Sequence, residues 1–173
     1  MKEEIDFIKI QDFIYEQKSL NDNSVHGLDH WNQVEFNGVF LSEKTKADIS
    51  VVRLFALFHD SRRISDGRDI EHGNRGAELA LKMRGVLFDL DDARFSLLYH
   101  ACKNHTTEIS SGNITIDTCY DADRLDLGRV GLYLEENKMA TSFGKKLAAL
   151  SVKEKISPFQ MRPWLKSLKI AKL

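Results

Sequence analysis

The segment that most constrains the fold is residues 51–58 (VVRLFALF), in which Arg53 is the one charged side chain. A helix that is apolar on nearly all sides is typical of the middle of a domain, because it must be covered on every face. A buried strand has a similar composition. Helical patterns on both sides of the segment favour a helix, so we predict a central helix that runs into His59 and Asp60.

Helical periodicity dominates the rest of the chain, whereas strand-like alternation occurs only briefly, at residues 114–116. Apolar residues spaced three and four positions apart indicate amphipathic helices. We predict helices over residues 3–18, 28–44, 72–84, 91–105, 119–127 and 166–173, with a loop over 106–117. The sequence therefore predicts an all-α fold, a single compact helical bundle over residues 1–173. Its motif-bearing core covers residues 24–131, and an N-terminal helix within 1–20 and C-terminal helices within 140–173 pack on it.

Charge argues against several classes of function. The chain has 25 Lys and Arg residues against 26 Asp and Glu residues, a net charge of −1. Long-range attraction to nucleic acid or to an anionic membrane needs an excess of positive charge, so we predict neither partner. The basic tail, with Lys166, Lys169 and Lys172, is the feature in favour of a nucleic-acid-binding domain. Such spacing is more typical of a solvated helix face.

The cysteines and the N-terminus indicate a cytoplasmic protein. Cys102 and Cys119 are too few for a disulfide framework and lack zinc-finger spacing, which is typical of buried thiols in a reducing compartment. The first residues lack the basic and apolar regions of a signal peptide, and no apolar run approaches the roughly 20 residues that span a bilayer. The apolar N-terminal helix, with Phe7 and Phe13, packs in its own domain or, alternatively, forms a homodimer contact.

The residues that follow the central helix carry the chemistry. A buried carboxylate such as Asp60 is costly unless it is paired or bound to a metal ion. His59 and Asp60 alone could end a helix at the surface, but His30 lies beside the apolar stripe of an upstream helix, and a downstream helix carries three aspartates. Of these, Asp123 and Asp126 share a helix face, for which a solvated acidic face is the alternative. Two histidines and two aspartates from three helices suit a divalent ion of the Mn, Fe, Co, Ni, Zn or Mg group.

This order of histidines and aspartates resembles the HD superfamily of metal-dependent phosphohydrolases, and most closely its small bacterial members. The resemblance rests on four blocks: HGLDHW (26–31), LFALFHDS (54–61), EHGNRGA (71–77) and DADRLDLGRVG (121–131). It implies an HD-domain helical bundle. It also implies four metal ligands, which are His30, His59, Asp60 and Asp123.

The resemblance implies further roles for residues near these ligands. Asp60 would hold the attacking water, and His72 would bind the substrate phosphate or protonate the leaving group, so both are candidate catalytic residues. His26 would orient the segment of His30 by hydrogen bonding. Asp121 would support the site from outside the ligands, although the alternative that it replaces Asp123 as the fourth ligand stays open.

Arginines and a further histidine complete the candidate site. A guanidinium can grip phosphate oxygens with two hydrogen bonds, which makes four arginines candidate substrate contacts or, alternatively, ordinary surface residues. They are Arg62, Arg63, Arg75 and Arg124. Some members of the family bind two metals with extra histidines. His105 would reach a second metal if its helix ends there, whereas His100 lies five residues away and does not share its face.

These features together predict a metal-dependent phosphohydrolase that cleaves a phosphoester or phosphoanhydride bond with a metal-activated water. The frequency of nucleotide substrates in the family favours a nucleotide as the small phosphorylated substrate. The first alternative is a catalytically inactive metal-binding sensor or scaffold of the same fold. The second is an oxygenase that binds two irons and oxidises small polyols or phosphonates, which needs additional ligands such as His72, His100 or His105.

Overall fold

The structure, a computed structural model, describes residues 5–169 and is built from helices. The described residues form eight α-helices: α1 (Phe7–Glu16), α2 (Leu28–Thr45), α3 (Ile49–Phe58), α4 (His72–Met83), α5 (Asp92–Asn104), α6 (Ile114–Arg124), α7 (Ser142–Lys153) and α8 (Met161–Ser167). They also contain three short 3-10 helices: Leu127–Val130, Glu136–Lys138 and Pro158–Gln160. Within residues 5–169 the β-structure is limited to an isolated bridge between Arg84 and Phe88. The predicted all-α class is confirmed.

Helix α3 lies in the middle of the molecule, as its sequence predicts. It packs against α1, α2, α4, α5 and α6, and its residues from Val51 to Phe58 are buried except for Arg53. Its start is fixed by Asp48, whose carboxylate accepts hydrogen bonds from the backbone N–H groups of Ser50 and Val51. An aspartate at this position satisfies N–H groups that have no partner within the helix. Because α3 is covered on every side, the residues that follow it emerge inside the protein.

Two glycines of α4 allow this helix to approach α3 and α5 closely. A Cβ atom at Gly76 would lie 2.3 Å from the carbonyl oxygen of Phe58, at the end of α3. A Cβ atom at Gly73 would lie 2.6 Å from the carbonyl oxygen of Cys102, near the end of α5. Contacts this short exclude any side chain at either position. The close approach brings His72, the first residue of α4, against the ends of both neighbouring helices.

After α1, the helix boundaries agree with the predictions over the first two thirds of the chain, and they differ further on. The predicted loop over 106–117 is wrong in its second half, because α6 begins at Ile114 and ends at Arg124. The side chain of Asn113 accepts hydrogen bonds from the N–H groups of residues 115 and 116 and starts this helix. The predicted terminal helices are too long: α1 covers Phe7–Glu16, and α8 ends at Ser167, so that residues 168–169 are not helical. Residues 3–4 and 170–173, which include Lys172, lie outside the described residues.

The buried apolar side chains form one hydrophobic cluster to which both terminal regions contribute. Ile10 and Ile14 of α1 are fully buried in it, and Phe7 and Phe13 pack against its edge. Leu147 of α7 belongs to the same cluster. The N-terminal helix therefore uses its apolar face within the protein. Among the described residues, no helix combines the length and the apolar character needed to cross a membrane.

Candidate metal centre

Five helices bring six metal-binding side chains to one buried place. These residues are His30 in the first turn of α2, His59 and Asp60 directly after α3, His72 at the start of α4, His105 directly after α5, and Asp123 near the end of α6. All except Asp123 are almost completely buried. The structure thus brings together the four predicted ligands, and it places the two histidines of uncertain role beside them.

The first cluster joins His30, His59 and Asp123, whose potential ligand atoms lie within 4.8 Å of one another. The Nε2 atoms of His30 and His59 are 3.1 Å apart. Asp123 Oδ1 lies 3.3 Å from the first of these nitrogens and 3.9 Å from the second. Asp60 Oδ2 lies 3.6 and 3.7 Å from the same two atoms. Each of the two imidazole nitrogens therefore has an oxygen of Asp60 and an oxygen of Asp123 within 4 Å.

The second cluster joins His72, His105 and the other oxygen of Asp60. The Nε2 atoms of the two histidines are 3.0 Å apart. Asp60 Oδ1 lies 3.2 Å from His72 Nε2 and 3.8 Å from His105 Nε2. Neither contact is a hydrogen bond, because Oδ1 is buried without a hydrogen-bond partner. Asp60 thus stands between the two clusters, with one oxygen facing each of them.

The hydrogen bonds of the histidines turn all four Nε2 atoms towards the clusters. The Nδ1 atom of His59 lies 3.1 Å from the carbonyl oxygens of residues 55 and 56. His72 Nδ1 bonds the carbonyl of Asp69, and His105 Nδ1 lies 2.8 Å from the carbonyl of Cys102. A carbonyl only accepts, so Nδ1 carries the proton in each ring. With Nδ1 bound to the backbone, each of these rings turns its Nε2 atom towards the clusters, the orientation in which histidines bind metal ions.

The electrostatics of the centre favour a bound cation. Burial lowers the pKa of His59 to about 3, so its ring is neutral at physiological pH. Burial opposes the ionisation of Asp60, but the neighbouring imidazoles, His59 foremost, hold its pKa well below the usual value. Burial also lowers the pKa of His30, yet its contacts with Asp123 and Asp126 raise the pKa overall. Nε2 of His30 therefore attracts positive charge, and a proton and a metal ion compete for it.

A chain of ionic contacts extends outward from His30. Asp126 Oδ2 lies 2.8 Å from His30 Nδ1, and both oxygens of Asp126 accept hydrogen bonds from Arg162, at 2.6 and 2.8 Å. Burial would raise the pKa of Asp126, but the hydrogen bonds from Arg162 and His30 lower it. A carboxylate at this position orients a ligand histidine and increases its basicity. Asp126 therefore supports the centre from outside the two clusters.

Two of the predicted supporting residues make different contacts from those we expected. His26 Nδ1 lies 2.8 Å from Asp60 Oδ2, so it supports Asp60 and does not bond the segment of His30. Asp121 is fully buried, and its carboxylate accepts hydrogen bonds from the N–H groups of Ala140 and Thr141 and from the Thr141 hydroxyl. It fixes the start of α7. The supporting role expected for Asp121 is filled by Asp126, and Asp123 is the aspartate that faces the first cluster.

The predicted arginines are mostly engaged by the backbone. Arg63 lies 3.8 Å from Asp60 Oδ1, which keeps it beside the centre. Arg62 donates to the carbonyl of residue 17, Arg75 to Asp69 and the carbonyl of residue 62, and Arg124 to the carbonyls of residues 108, 109 and 138. Their contact with substrate stays a prediction. Arg129, which we had not singled out, lies 3.3 Å from His26 Nδ1.

The side chains of His100 and Cys102 do not belong to the donor set of the centre. His100 is partly exposed and pairs with Glu108 at 2.8 Å, outside the two clusters. Cys102 is buried, and burial raises the pKa of its thiol, which disfavours the thiolate that a metal would require. The donor set therefore consists of imidazole nitrogens and carboxylate oxygens. It fits Mn, Fe, Co, Ni or Zn better than Mg, which prefers oxygen ligands.

Comparison with known proteins supports the fold. The chain is similar to the crystal structure of a predicted HD superfamily hydrolase from an uncultured Thermotogales bacterium, with a TM-score of 0.68 and 24% sequence identity over 86% of each chain. No protein-family model matches the sequence, and no curated protein matches it. The likeness confirms, at the level of the fold, the HD-domain architecture that the motifs imply.

Proposed function

We propose that this protein is a metal-dependent phosphohydrolase of the HD type that acts on a small phosphorylated substrate, with a nucleotide as the favoured class. The observation that carries the proposal is the position of Asp60, whose two buried oxygens each face a separate pair of histidine Nε2 atoms. A carboxylate shared in this way is suited to bridge two divalent ions. The fold of a predicted HD superfamily hydrolase is consistent with that use.

Several residues around the two clusters would have separate roles in such a reaction. When bound, two divalent ions supply Lewis acidity to phosphoryl oxygens and acidify a water molecule. The carbonyl groups beside His59 and His105 hold each Nδ1 proton and leave Nε2 free to bind. His26 holds Asp60 Oδ2 through Nδ1. Arg63, beside Asp60, supplies positive charge near the place where charge develops on the phosphoryl group.

The geometry changes the role that we propose for His72. Its Nδ1 is bound to a backbone carbonyl and its Nε2 faces Asp60 Oδ1 and His105 Nε2. A ring whose Nδ1 is bound to the backbone and whose Nε2 is turned into the second cluster is poorly placed to deliver a proton to a leaving group. We therefore assign His72 and His105 to the second metal position, and the proton donor to the leaving group is then solvent or a group outside the two clusters.

The second pair of histidines also favours one alternative function. An oxygenase with two irons needs more nitrogen ligands than a site with a single metal, and His72 and His105 provide them. Loading with iron and measurement of oxygen consumption with a polyol or a phosphonate would separate this function from hydrolysis. A sensor or scaffold would bind metal and show neither activity.

The test is turnover of a panel of phosphorylated compounds by protein loaded in turn with Mn, Fe, Co, Ni, Zn and Mg. We expect phosphate release by the wild type. In Asp60→Asn turnover should fall more than about 100-fold, beyond the 10–100-fold loss typical of groups outside the ligands. The matched control is Asp92→Asn, whose side chain is 98% exposed. Full turnover by Asp60→Asn, or no phosphate release by wild type loaded with any of these metals, would contradict the proposal.

A further inference from the structure

A cavity of about 430 Å³ opens beside the first cluster. We call it the Phe159 pocket, and the lining residues used below are Asp22, Asp29, His30, Arg129, Phe159 and Arg162. His30 both lines this pocket and faces Asp60 and Asp123 with its Nε2 atom, so the pocket adjoins the candidate metal position through this ring. A substrate whose phosphoryl group lies at the metals would place its next atoms here.

The aromatic ring of Phe159 stands in an unusual position for an apolar side chain. It is 76% exposed, although Pro158 before it is buried. The turn that carries it is fixed, because a Cβ atom at Gly128 would lie 2.1 Å from the carbonyl oxygen of Pro158. An aromatic ring carried on this turn at the edge of a pocket offers a flat surface on which a planar group can stack.

The charges of the Phe159 pocket are already paired. Arg162 binds the carboxylates of Asp126 and Asp29. Arg129 donates to the carbonyls of Val25 and Asp126 and lies 3.8 Å from the Asp126 carboxylate. Asp22, at the rim, is paired with Lys18 at 2.7 Å. The two arginines thus face at least as many carboxylates, and the pocket has no spare positive charge for additional phosphate groups.

We propose that the Phe159 pocket binds the organic part of a phosphomonoester, an uncharged group with a planar ring that stacks on Phe159. The pocket selects this group over the additional phosphates of a di- or triphosphate, because its arginines are already paired with carboxylates. The inference rests on the proposed phosphohydrolase function and adds to it a specificity-determining residue and a limit on substrate charge.

The experiment compares three probes: adenosine 5′-monophosphate, adenosine 5′-triphosphate and glycerol phosphate, which lacks a ring. Stacking of a base on an aromatic side chain contributes about 1–3 kcal/mol. We therefore expect Phe159→Ala to raise the ratio of KM for the adenosine monophosphate to KM for glycerol phosphate about tenfold, and Phe159→Trp to restore the ratio. The control Val152→Ala removes a side chain that is 66% exposed on α7 and should leave the ratio unchanged.

Two results would overturn the inference while the proposed function stands. One is an unchanged KM ratio in Phe159→Ala, and the other is a higher kcat/KM for the triphosphate than for the monophosphate in the wild type. If the wild type hydrolyses none of the probes, uncharged adenosine is titrated into the metal-free protein by calorimetry. Binding that is weakened about tenfold by Phe159→Ala would support the pocket without hydrolysis, and no binding would reject it.

Discussion

Two aspartates in this protein are equally buried and differ in what their oxygens meet. Asp60 is 4% exposed and Asp121 is fully buried. The oxygens of Asp121 accept three hydrogen bonds from the segment that starts α7. Asp60 accepts one from His26, and its Oδ1 has no hydrogen-bond partner although histidine nitrogens surround it. Burial raises the pKa of Asp121 overall, whereas the imidazoles around Asp60 outweigh burial and lower its pKa.

The difference separates a structural carboxylate from one that is prepared for a ligand. A buried polar atom without a partner costs free energy, and proteins rarely retain one without a use for it. Asp121 joins α6 to α7 and stabilises the fold directly. Asp60 lies between two pairs of histidine Nε2 atoms, and a bound cation would satisfy the oxygen that has no hydrogen-bond partner. The same substitution should therefore cost the metal-free protein more stability at Asp121 than at Asp60.

The largest effect on the stability of the metal-free protein should come from Asp121→Asn. The amide retains one acceptor and turns a donor towards the N–H groups of residues 140 and 141. We expect the free energy of unfolding to fall by about 2–3 kcal/mol. Asp60→Asn should change it by less than about 1 kcal/mol, because the wild-type carboxylate accepts a single hydrogen bond, from His26. Urea denaturation in the presence of a chelator measures the free energy of unfolding of both variants. Equal losses of stability in Asp121→Asn and Asp60→Asn would contradict the distinction between the two carboxylates.

The next effect concerns Asp126, which supports the centre without facing either cluster. Asp126→Asn weakens the hydrogen bond from His30 Nδ1, and we expect metal affinity to fall about 10–100-fold. Competition with a chromophoric chelator measures the dissociation constant. Asp29→Asn is the matched control, because Asp29 binds the same Arg162 and its side chain is 85% exposed. If both variants lose affinity equally, Asp126 acts only through Arg162 and not on His30.

The smallest effect should come from Asp48, a satisfied carboxylate near the surface. It accepts two hydrogen bonds from Arg94, at 2.7 and 2.8 Å, and starts α3. Burial would raise its pKa, but the bonds from Arg94 lower it. Asparagine also caps helices well, so Asp48→Asn tests the ionic contact with Arg94. We expect the free energy of unfolding to fall by about 1 kcal/mol.

The pH dependence of the stability lost in Asp48→Asn follows from the lowered pKa of Asp48. A folded pKa below the unfolded value of about 3.9 contributes stability above that pH and loses it as the pH falls through the folded pKa. The difference between wild type and Asp48→Asn should therefore be constant from about pH 5 to 8 and narrow below about pH 4. Denaturation across this range checks it, and a difference that grows on acidification would contradict the assignment.

Much of the fold followed from local sequence patterns. The apolar segment 51–58 predicted a central helix, and Asp48 and Asp91 start helices where an N-cap is expected. The start of α6 was missed because the alternation at residues 114–116 suggested a strand. Asn113, which caps this helix, is the feature that could have identified its first residue.

The candidate site was predictable to the extent that it lies within single motifs. His30, His59, Asp60 and Asp123 were identified from motif blocks, and the structure brings them together. Arg162 was not, because its contact with Asp126 joins residues 36 positions apart and depends on how the chain returns to α2. The contact of His105 with His72 likewise depends on the exact end of α5 and on the close approach that Gly73 permits.

The central claim is that Asp60 would supply one oxygen to each of two metal positions, and the most direct test is the metal content of purified protein after reconstitution and dialysis. Inductively coupled plasma mass spectrometry would compare the wild type with Asp60→Asn and Asp121→Asn. We predict close to two ions per chain in the wild type and in folded Asp121→Asn, and loss of both from Asp60→Asn. Wild type that retains no metal, or Asp60→Asn that retains its full content, would contradict the claim.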